Sequence, residues 1–280
     1  MSIKICDLHT HSTFSDGTMT PEELVLAAKA AGLSAVALTD HNTVAGLPSF
    51  LAAAERHGIE GIAGIEISSS LGAREMHIVG LGIRPECFAA VDAYLTTYRS
   101  AKEESTRALI AALSAAGYPL DYSAIVKKTE GQPNRAHIAT ALCEAGYVSS
   151  VNEAFSRLLD KKHGLYREPV RPTPADTVAF LHSVGARAVL AHPFYDFDEE
   201  ELSAFLAEMR TWEQPFDGME ILYSEYTTDK EAAATRLAAE FGLLPSGGSD
   251  FHGDRKPGIS LGSGRGNLLI PYDFWENLKQ

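Results

Sequence analysis

The sequence predicts an α/β barrel-like domain that is interrupted by a helical insertion. At both ends of the chain, short apolar runs alternate with helical stretches, which is typical of a parallel sheet or barrel. The region from about residue 87 to 165 has helical signals and little strand. The length of 280 residues suits one barrel of about 250 residues, although two smaller domains are an alternative.

The amino-terminal part contains the first half of the predicted barrel. The first helix begins at Thr20-Pro21-Glu22-Glu23, with Thr as N-cap and Pro as the first helical residue. It ends before Gly32, and a second helix covers about 47–57 and ends at Gly58. Strands are predicted at residues 3–8, 34–38, 61–67 and 76–83.

The central part is predicted to be helical, with helix ends at Gly117 and Gly146. After Tyr166 the alternation resumes with a helix that starts at Thr173 and ends at Gly185. Later elements are strands at 186–191, 218–223 and 244–249, a helix at 228–241, and a possible last strand at 267–271. We therefore assign residues 1–98 and 166–280 to the barrel and 99–165 to an insertion that covers the active site.

The composition excludes several classes of protein. The chain has 37 acidic against 24 basic residues and a net charge of −13, which disfavours binding to long nucleic acids. No run of about 18 apolar residues and no signal sequence is present, so we expect no membrane partner. Three cysteines at unrelated spacings indicate neither a disulfide framework nor a cysteine zinc site. We expect a cytoplasmic protein of undetermined oligomeric state.

Residues that bind metal ions follow most of the predicted strands. Side chains alternate along a strand, so His9 and His11 point the same way, as do Asp250 and His252. The carboxyl ends of parallel strands meet at one mouth. A lone histidine at a strand end is usually structural, but the joint pattern predicts a site for two or three divalent cations. The candidates are Asp7, His9, His11, Asp16, Asp40, His41, Glu66, His77, His192, Asp250 and His252.

The same positions resemble the PHP (polymerase and histidinol phosphatase) family of the amidohydrolase superfamily. The resemblance implies a distorted (β/α)7 barrel and metal-dependent phosphoester hydrolysis. It spans the core on both sides of the insertion. The matching motifs are Asp7-Leu8-His9-Thr10-His11, Ser15-Asp16-Gly17, Thr39-Asp40-His41-Asn42, Gly64-Ile65-Glu66, Ala191-His192-Pro193 and Gly248-Ser249-Asp250-Phe251-His252-Gly253.

The resemblance also implies which residues hold each ion. The first set is His9, His11, Glu66 and Asp250; the second is Glu66, His77 and His192; the third is Asp16, His41 and His252. The carboxylate of Asp16 favours a harder ion, so manganese is preferred, with zinc, iron and magnesium as alternatives. Asp7 and Asp40 are expected to orient the imidazoles of ligands from behind.

The insertion resembles one subgroup of that family, the TrpH or YciV type, which acts on nucleotide bisphosphates and the 5′ ends of short RNA. The matching residues are Asn134-Arg135-Ala136-His137-Ile138-Ala139 and Ala145-Gly146-Tyr147, where family members usually have Gly-Arg-Pro-His in the first motif. Arg135 is predicted to bind a phosphate through two hydrogen bonds. His137 would donate to a phosphate and Tyr166 would stack on a base. Alternatively, Arg135 caps a surface helix, His137 is incidental and Tyr166 only packs.

These observations lead to a hypothesis of metal-dependent phosphomonoester hydrolysis. Asp250 would position the attacking water, His252 or a metal-held water would protonate the leaving group, and Arg135 would stabilise the developing charge. By resemblance, the substrate is a nucleoside 3′,5′-bisphosphate that loses its 5′-phosphate, with trimming of short 5′-phosphorylated oligonucleotides as a related activity. The alternatives are a histidinol-phosphate-type phosphatase, C–N bond hydrolysis, and a non-catalytic metal-binding module for a partner protein.

Overall fold

The computed structural model describes residues 4–129 and 133–280 and divides into two compact units. The first unit contains the chain up to Asp92 and Pro172–Gln280, and the second contains Ala93–Arg171. The second unit therefore extends beyond the predicted insertion, 99–165, at both ends. At its start the reason is that one helix, Phe88–Ala115, continues through the predicted boundary.

The first unit is built on seven strands that pair in chain order. Strand β1 also lies beside β7, because the amide of Leu8 donates to the carbonyl of Gly247 (3.2 Å) and the amide of Asp250 donates to that of His9 (2.9 Å). The predicted seven-stranded barrel is thereby confirmed in a nearly closed form. The strands are β1 Cys6–Asp7, β2 Ala35–Leu38, β3 Glu60–Leu71, β4 Arg74–Leu81, β5 Arg187–Leu190, β6 Gly218–Tyr223 and β7 Leu244–Gly248.

Strand β4 departs from the predicted parallel arrangement. It runs antiparallel to both β3 and β5, whereas the other paired strands are parallel. The reason is that no helix separates β3 from β4: a two-residue turn with Gly72 at φ +61° joins them as a hairpin. The amino end of β4, which contains His77, therefore lies where the other strands have their carboxyl ends.

The helices of the first unit follow the capping signals of the sequence closely. Helix α1 begins after Thr20, which forms the predicted capping box with Glu23. Helix α2 ends at Gly58 in the left-handed conformation, φ +68°, which glycine adopts without steric cost. The α-helices of both units, within the described residues, are α1 Pro21–Ala30, α2 Leu47–His57, α3 Phe88–Ala115, α4 Tyr122–Lys128, α5 Arg135–Glu144, α6 Val151–Ala154, α7 Pro174–Ser183, α8 Glu199–Met209, α9 Thr228–Phe241 and α10 Asp273–Leu278.

The prediction of a possible last strand at 267–271 is wrong. That segment forms only an isolated antiparallel bridge between Ile5 and Pro271, and the amide of Cys6 donates to the carbonyl of Ile270 at 3.0 Å. Pro271 has no amide hydrogen to continue a ladder, and helix α10 begins two residues later. Leu268 and Ile270 of the segment instead join the barrel core, where Ile270 is fully buried, whereas Leu269 is exposed.

The second unit has a hydrophobic core of its own. Buried residues of α3, α4 and α5, among them Leu113, Ile125 and Ile138, form that core. Gly117 and Gly146 have φ of +94° and +76°, in agreement with the helix ends predicted there.

No helix in the described part of the chain combines the length and the hydrophobicity that crossing a bilayer requires.

Candidate metal centre

The barrel brings all nine predicted metal ligands together, although they come from positions spread over most of the chain. Each of them belongs to at least one group whose potential ligand atoms lie within 4.8 Å of one another. The four groups are His9, His11 and Asp250; His9, Glu66 and His192; His41, Glu66 and His77; and His11, Asp16, His41 and His252. These groups resemble the three sets that the sequence implied, and Glu66 occurs in two of them.

Glu66 lies at the centre of the cluster and is almost fully buried, with 1% of its surface exposed. Five imidazoles surround its two oxygens. Oε2 lies 3.2 Å from Nε2 of His9, 3.2 Å from Nε2 of His11 and 2.9 Å from Nδ1 of His41, and Oε1 lies 2.9 Å from Nδ1 of His77 and 3.1 Å from Nε2 of His192. A carboxylate in this position can bridge two cations.

The hydrogen bonds of His9 test whether a cation fits there. Its Nδ1 lies 2.8 Å from Oε1 of Glu220, and because an ionised carboxylate only accepts, Nδ1 must carry the proton. The neutral ring then directs the lone pair of Nε2 at the Glu66 carboxylate, 3.2 Å away. Two acceptors that face each other at this distance need a cation or an additional proton between them.

His252 shows the same arrangement on the other side of the cluster. Its Nδ1 donates to the backbone carbonyl of Asp250 at 2.9 Å, so Nε2 directs a lone pair at Oδ1 of Asp16, 3.2 Å away. Both Asp16 Oδ1 and Glu66 Oε2 are buried atoms without a hydrogen-bond donor. Burying such atoms unpaired is costly, so the residues are positioned to bind metal ions. A mixed set of imidazole and carboxylate ligands suits Mn, Fe and Zn.

In the absence of a cation, protons bound to the cluster lie between some of these facing acceptor atoms. Burial would raise the pKa of Glu66, but the charges of His41, His77 and His9 lower it well below 4.5. Burial would lower the pKa of His11, but its contacts with Asp250 and Glu66 raise it from 6.5 to about 9. The metal-free cluster therefore holds additional protons at neutral pH.

The two aspartates that were expected to orient imidazoles contact other groups. Asp7 is fully buried, and its carboxylate accepts from the amides of Ser249 (2.9 Å) and Gly262 (2.8 Å). The expectation that it contacts an imidazole therefore needs correction, because its two oxygens hold the loops after β7. Burial is the largest influence on Asp7 and raises the pKa of its carboxyl.

Asp40 reaches an imidazole, that of His11, through the hydroxyl of Ser15. Its carboxylate accepts from the amide of Ser12 (2.8 Å) and from the hydroxyl of Ser15 (2.6 Å). The Ser15 oxygen in turn lies 3.5 Å from Nδ1 of His11. Asp40 thus braces the turn after β1 that follows the ligands His9 and His11.

Three residues near the cluster were missed by the sequence analysis. Glu220 accepts from His9 and from the backbone amide of His192 (2.6 Å), and Tyr223 donates to Oδ2 of Asp250 at 2.8 Å. Lys256 forms an ion pair with the same oxygen. A signal existed for Glu220, which is the one charged residue in the otherwise apolar strand β6. Nothing comparable distinguishes Lys256 in its polar loop.

The backbone near the ligands is strained. His192 and Asp250 have φ of +27° and +54°, and Asn42, which follows His41, has φ +52°. Residues other than glycine rarely adopt such values, and when they do they cluster at functional sites. Gly248 permits a related close approach, because a Cβ there would lie 2.1 Å from the Cβ of His9.

The cluster opens into a cavity of about 370 Å³. Its wall includes the ligands His41, Glu66, His77, His192 and Asp250. Tyr195 also lines the cavity, and 72% of its surface is exposed. Such an exposed ring beside a polar cavity is available to pack against a substrate.

The predicted substrate contacts of the insertion have local roles in the second unit. Asn134 is the N-cap of α5, where its side chain accepts from the amides of Ala136 and His137. His137 completes the capping box through Nδ1, 3.2 Å from the amide of Asn134. Asn134, and not Arg135, is therefore the capping residue. The Arg135 guanidinium lies 4.4 Å from the ring centre of Tyr166, and no carboxylate among the described residues pairs with it.

Comparison with known proteins identifies close similarities. The model of the PHP domain matches residues 7–162. A 5′-3′ exoribonuclease of Haemophilus influenzae is 34% identical over 88% of this chain and 89% of its own length. A 3′,5′-nucleoside bisphosphate phosphatase of Chromobacterium violaceum is 31% identical over 98% and 96%. The solved structure of an amidohydrolase from C. violaceum, with bound sulfate and no metal, is 31% identical, has a TM-score of 0.82 and covers 98% of this chain and 95% of its own.

Proposed function

The chain belongs to the PHP domain family, and from that premise we propose that it is a metal-dependent phosphoesterase that removes the 5′-phosphate from nucleoside 3′,5′-bisphosphates. Trimming of short 5′-phosphorylated oligonucleotides is the related activity. The observation that supports this proposal most strongly is the pairing of His9 with Glu66, in which two acceptors face each other 3.2 Å apart.

The nine clustered side chains are the proposed ligands of two or three divalent ions, preferably manganese. His9, His11, Glu66 and Asp250 would hold the first ion. Glu66 with His77 and His192 would hold the second, and Asp16, His41 and His252 the third. Bound divalent ions supply Lewis-acid chemistry, because they lower the pKa of water and polarise a phosphoryl oxygen.

The chain's own residues would orient the reaction. Asp250 is held by the hydroxyl of Tyr223 at Oδ2 and faces Nε2 of His11 (3.2 Å) with Oδ1, which suits a role in positioning the attacking water. Burial and the charge of His11 lower the pKa of His252. His252 is therefore better suited to bind a cation through Nε2 than to protonate the leaving group.

Nucleotide specificity is proposed from the second unit and from the relatives. The relatives' names include a nucleoside bisphosphate phosphatase and a 5′-3′ exoribonuclease. The guanidinium of Arg135 lies on the face of Tyr166 and pairs with no carboxylate among the described residues, an arrangement that is suited to a phosphate next to a base. We propose that Asn134, Arg135, His137 and Tyr166 contact the substrate. A net charge of −13 favours small or short substrates.

The test measures phosphate release by manganese-loaded and metal-free protein. The substrates are adenosine 3′,5′-bisphosphate, 5′-AMP, 3′-AMP and histidinol phosphate. We expect fast, metal-dependent release from the bisphosphate and a fall of about 10- to 100-fold in kcat/KM for Arg135→Ala, the amount expected for one charged hydrogen-bonding contact. Arg107→Ala is the matched control, because Arg107 also stacks on a tyrosine, Tyr122, but pairs with Glu103.

Three results would contradict parts of the proposal. A preference for histidinol phosphate would favour the small-metabolite phosphatase and remove Arg135 from substrate binding. Equal losses in Arg135→Ala and Arg107→Ala would indicate a general effect on the second unit. If the protein binds metal but releases phosphate from none of the four substrates, the result would favour a non-catalytic binding module or hydrolysis of a C–N bond.

A further inference from the structure

The cavity beside the metal cluster has an unusual balance of charge for a site that takes a phosphate. Besides the proposed ligands, three carboxylates line it, those of Glu75, Asp196 and Glu225. Lys256 is the one lysine or arginine among its described lining residues. A phosphate monoester carries up to two negative charges, so the lysine on this wall would offset part of the charge that the substrate brings into the cavity.

Asp250 holds Lys256 through the oxygen that faces away from the histidines. Oδ1 of Asp250 lies 3.2 Å from Nε2 of His11 and 3.3 Å from Nδ1 of His252. Oδ2 accepts from Tyr223 (2.8 Å) and forms the ion pair with Nζ of Lys256. The two oxygens thus have separate partners, and a cation bound at Oδ1 leaves the Lys256 contact in place.

The ammonium group of Lys256 has hydrogen-bonding capacity to spare. Lysine has three N–H donors, and Asp250 is the side-chain partner of Nζ within the described residues. The side chain is 37% exposed, whereas that of Asp250 is 5% exposed. The remaining donors are therefore accessible to a ligand in the cavity.

We propose that Lys256 binds the non-bridging oxygens of the phosphoryl group that is hydrolysed. This inference rests on the proposed function, since it assigns a substrate contact in the same site. The position of Nζ against a ligand of the first proposed ion favours the scissile phosphate over a remote one. The contact of Nζ with Asp250 also reduces the side-chain entropy that a free lysine would lose on binding.

The competing explanation is that Lys256 only neutralises Asp250. That role predicts an effect on the metal site, because removal of the lysine would leave the Asp250 carboxylate with more negative charge and one partner fewer. Phosphate binding instead predicts an intact metal site with weaker affinity for anions. Metal content and anion affinity, measured on the same variants, distinguish the two roles.

The experiment compares Lys256→Met, Lys256→Arg and the control Lys230→Met in manganese-loaded protein. Lys230 lies in the same unit and donates to the backbone carbonyl of Phe194, outside the cavity lining, and its loss changes the net charge equally. Inorganic phosphate is the probe, and its Kd is measured by calorimetry. We expect Lys256→Met to raise this Kd by about 10- to 100-fold, as for the loss of one charged hydrogen bond, with unchanged metal content.

In kinetics, kcat/KM of Lys256→Met should fall by a similar factor for 5′-AMP and for adenosine 3′,5′-bisphosphate, because both contain the 5′-phosphate. Lys256→Arg should recover most of both losses, and Lys230→Met should match the wild type. Loss of metal from Lys256→Met would overturn the inference, as would a defect with the bisphosphate alone, which would place the contact at the 3′-phosphate.

Failure of the proposed function and failure of the inference about Lys256 give different results in these measurements. If the wild type binds inorganic phosphate but hydrolyses none of the substrates, the proposed reaction is wrong, and the Kd values alone still decide the role of Lys256. If metal-loaded wild type binds no phosphate, or Lys256→Met binds it as tightly as wild type, the inference is wrong.

Discussion

The candidate metal centre of the barrel and the proposed substrate contacts of the insertion differ in how far apart in the chain the residues lie that hold their polar side chains in place. In the barrel, contacts join residues far apart in the chain, such as His9 with Glu220 and Asp7 with Gly262. In the insertion, Asn134 and His137 contact each other across one helical turn. The first kind of contact requires the whole fold, and the second requires only a helix.

This difference determines how strongly each group indicates function. Asn134 and His137 satisfy the first turn of α5, which is a sufficient structural reason for their presence. No such local reason explains why Nε2 of His9, at 0% exposure, faces a carboxylate that is almost fully buried. The barrel cluster therefore indicates cation binding by its energetics, whereas the insertion indicates substrate binding mainly by Arg135, which pairs with no carboxylate in the described part of the chain.

The largest effect is expected from Glu66→Gln, which removes the central charge of the cluster. An amide cannot bridge two cations with equal strength and leaves the surrounding imidazoles without their anion, so we expect loss of at least one ion and a fall of about 1,000-fold or more in kcat. Metal content by mass spectrometry and phosphate release measure this. Glu86→Gln is the control, because Glu86 is 66% exposed; retention of all metal in Glu66→Gln would contradict the assignment.

A smaller effect is expected from Glu220→Gln. Glu220 contacts no cation site directly, but it holds the proton on Nδ1 of His9 and accepts from the amide of His192. Changes to such supporting carboxylates typically reduce metal affinity by about 10- to 100-fold. A manganese titration measures the shift, with the exposed Glu240→Gln as control. An unchanged affinity would mean that the tautomer of His9 does not depend on Glu220.

The pH dependence of stability should separate the metal-free from the metal-loaded barrel. The pKa of His11 is about 9 in the folded protein against an ordinary 6.5. Because the folded value is the higher one, the stabilisation is complete below pH 6.5 and is lost as the pH rises through about 9. The Tm of metal-free protein should therefore fall between pH 6.5 and 9.

In the manganese-loaded protein the cation replaces the proton, so the fall in Tm over this range should be smaller. The metal-free His11→Gln variant serves as the reference, since it lacks the titrating group and should also show a smaller fall. If Tm falls equally with pH in metal-free and metal-loaded wild type, the result would contradict the conclusion that the metal-free cluster holds additional protons.

The smallest effect is expected from Asn134→Ala in the insertion. Loss of the N-cap should lower stability by about 1 kcal/mol, which chemical denaturation measures. Asn134→Ser keeps a capping oxygen and should restore that stability. If Asn134→Ser nevertheless lowers kcat/KM for the bisphosphate as much as Asn134→Ala does, the side chain contacts substrate in addition to capping α5.

The elements that local chemistry governs were predictable from the sequence. Helix α1 starts at the Thr20 capping box and α2 ends at Gly58, because caps depend on residues within one turn. The strand-end histidines and carboxylates were predictable for a similar reason, since the side-chain alternation that aligns His9 with His11 is a property of the strand itself. The PHP motifs lie in these same segments.

What the sequence alone could not provide is the direction of β4 and the partners of the ligands. His77 was assigned to a strand end that faces the mouth, and it does lie there, but at the amino end of an antiparallel strand. Glu220 and Tyr223 contact ligands from distant parts of the chain, and Lys256 contacts Asp250 across the loop that follows β7. The sequence determined which residue types the site contains, because these follow local strand and turn patterns. The tertiary structure decided which atoms face each other, because that depends on the closure of the barrel between β1 and β7.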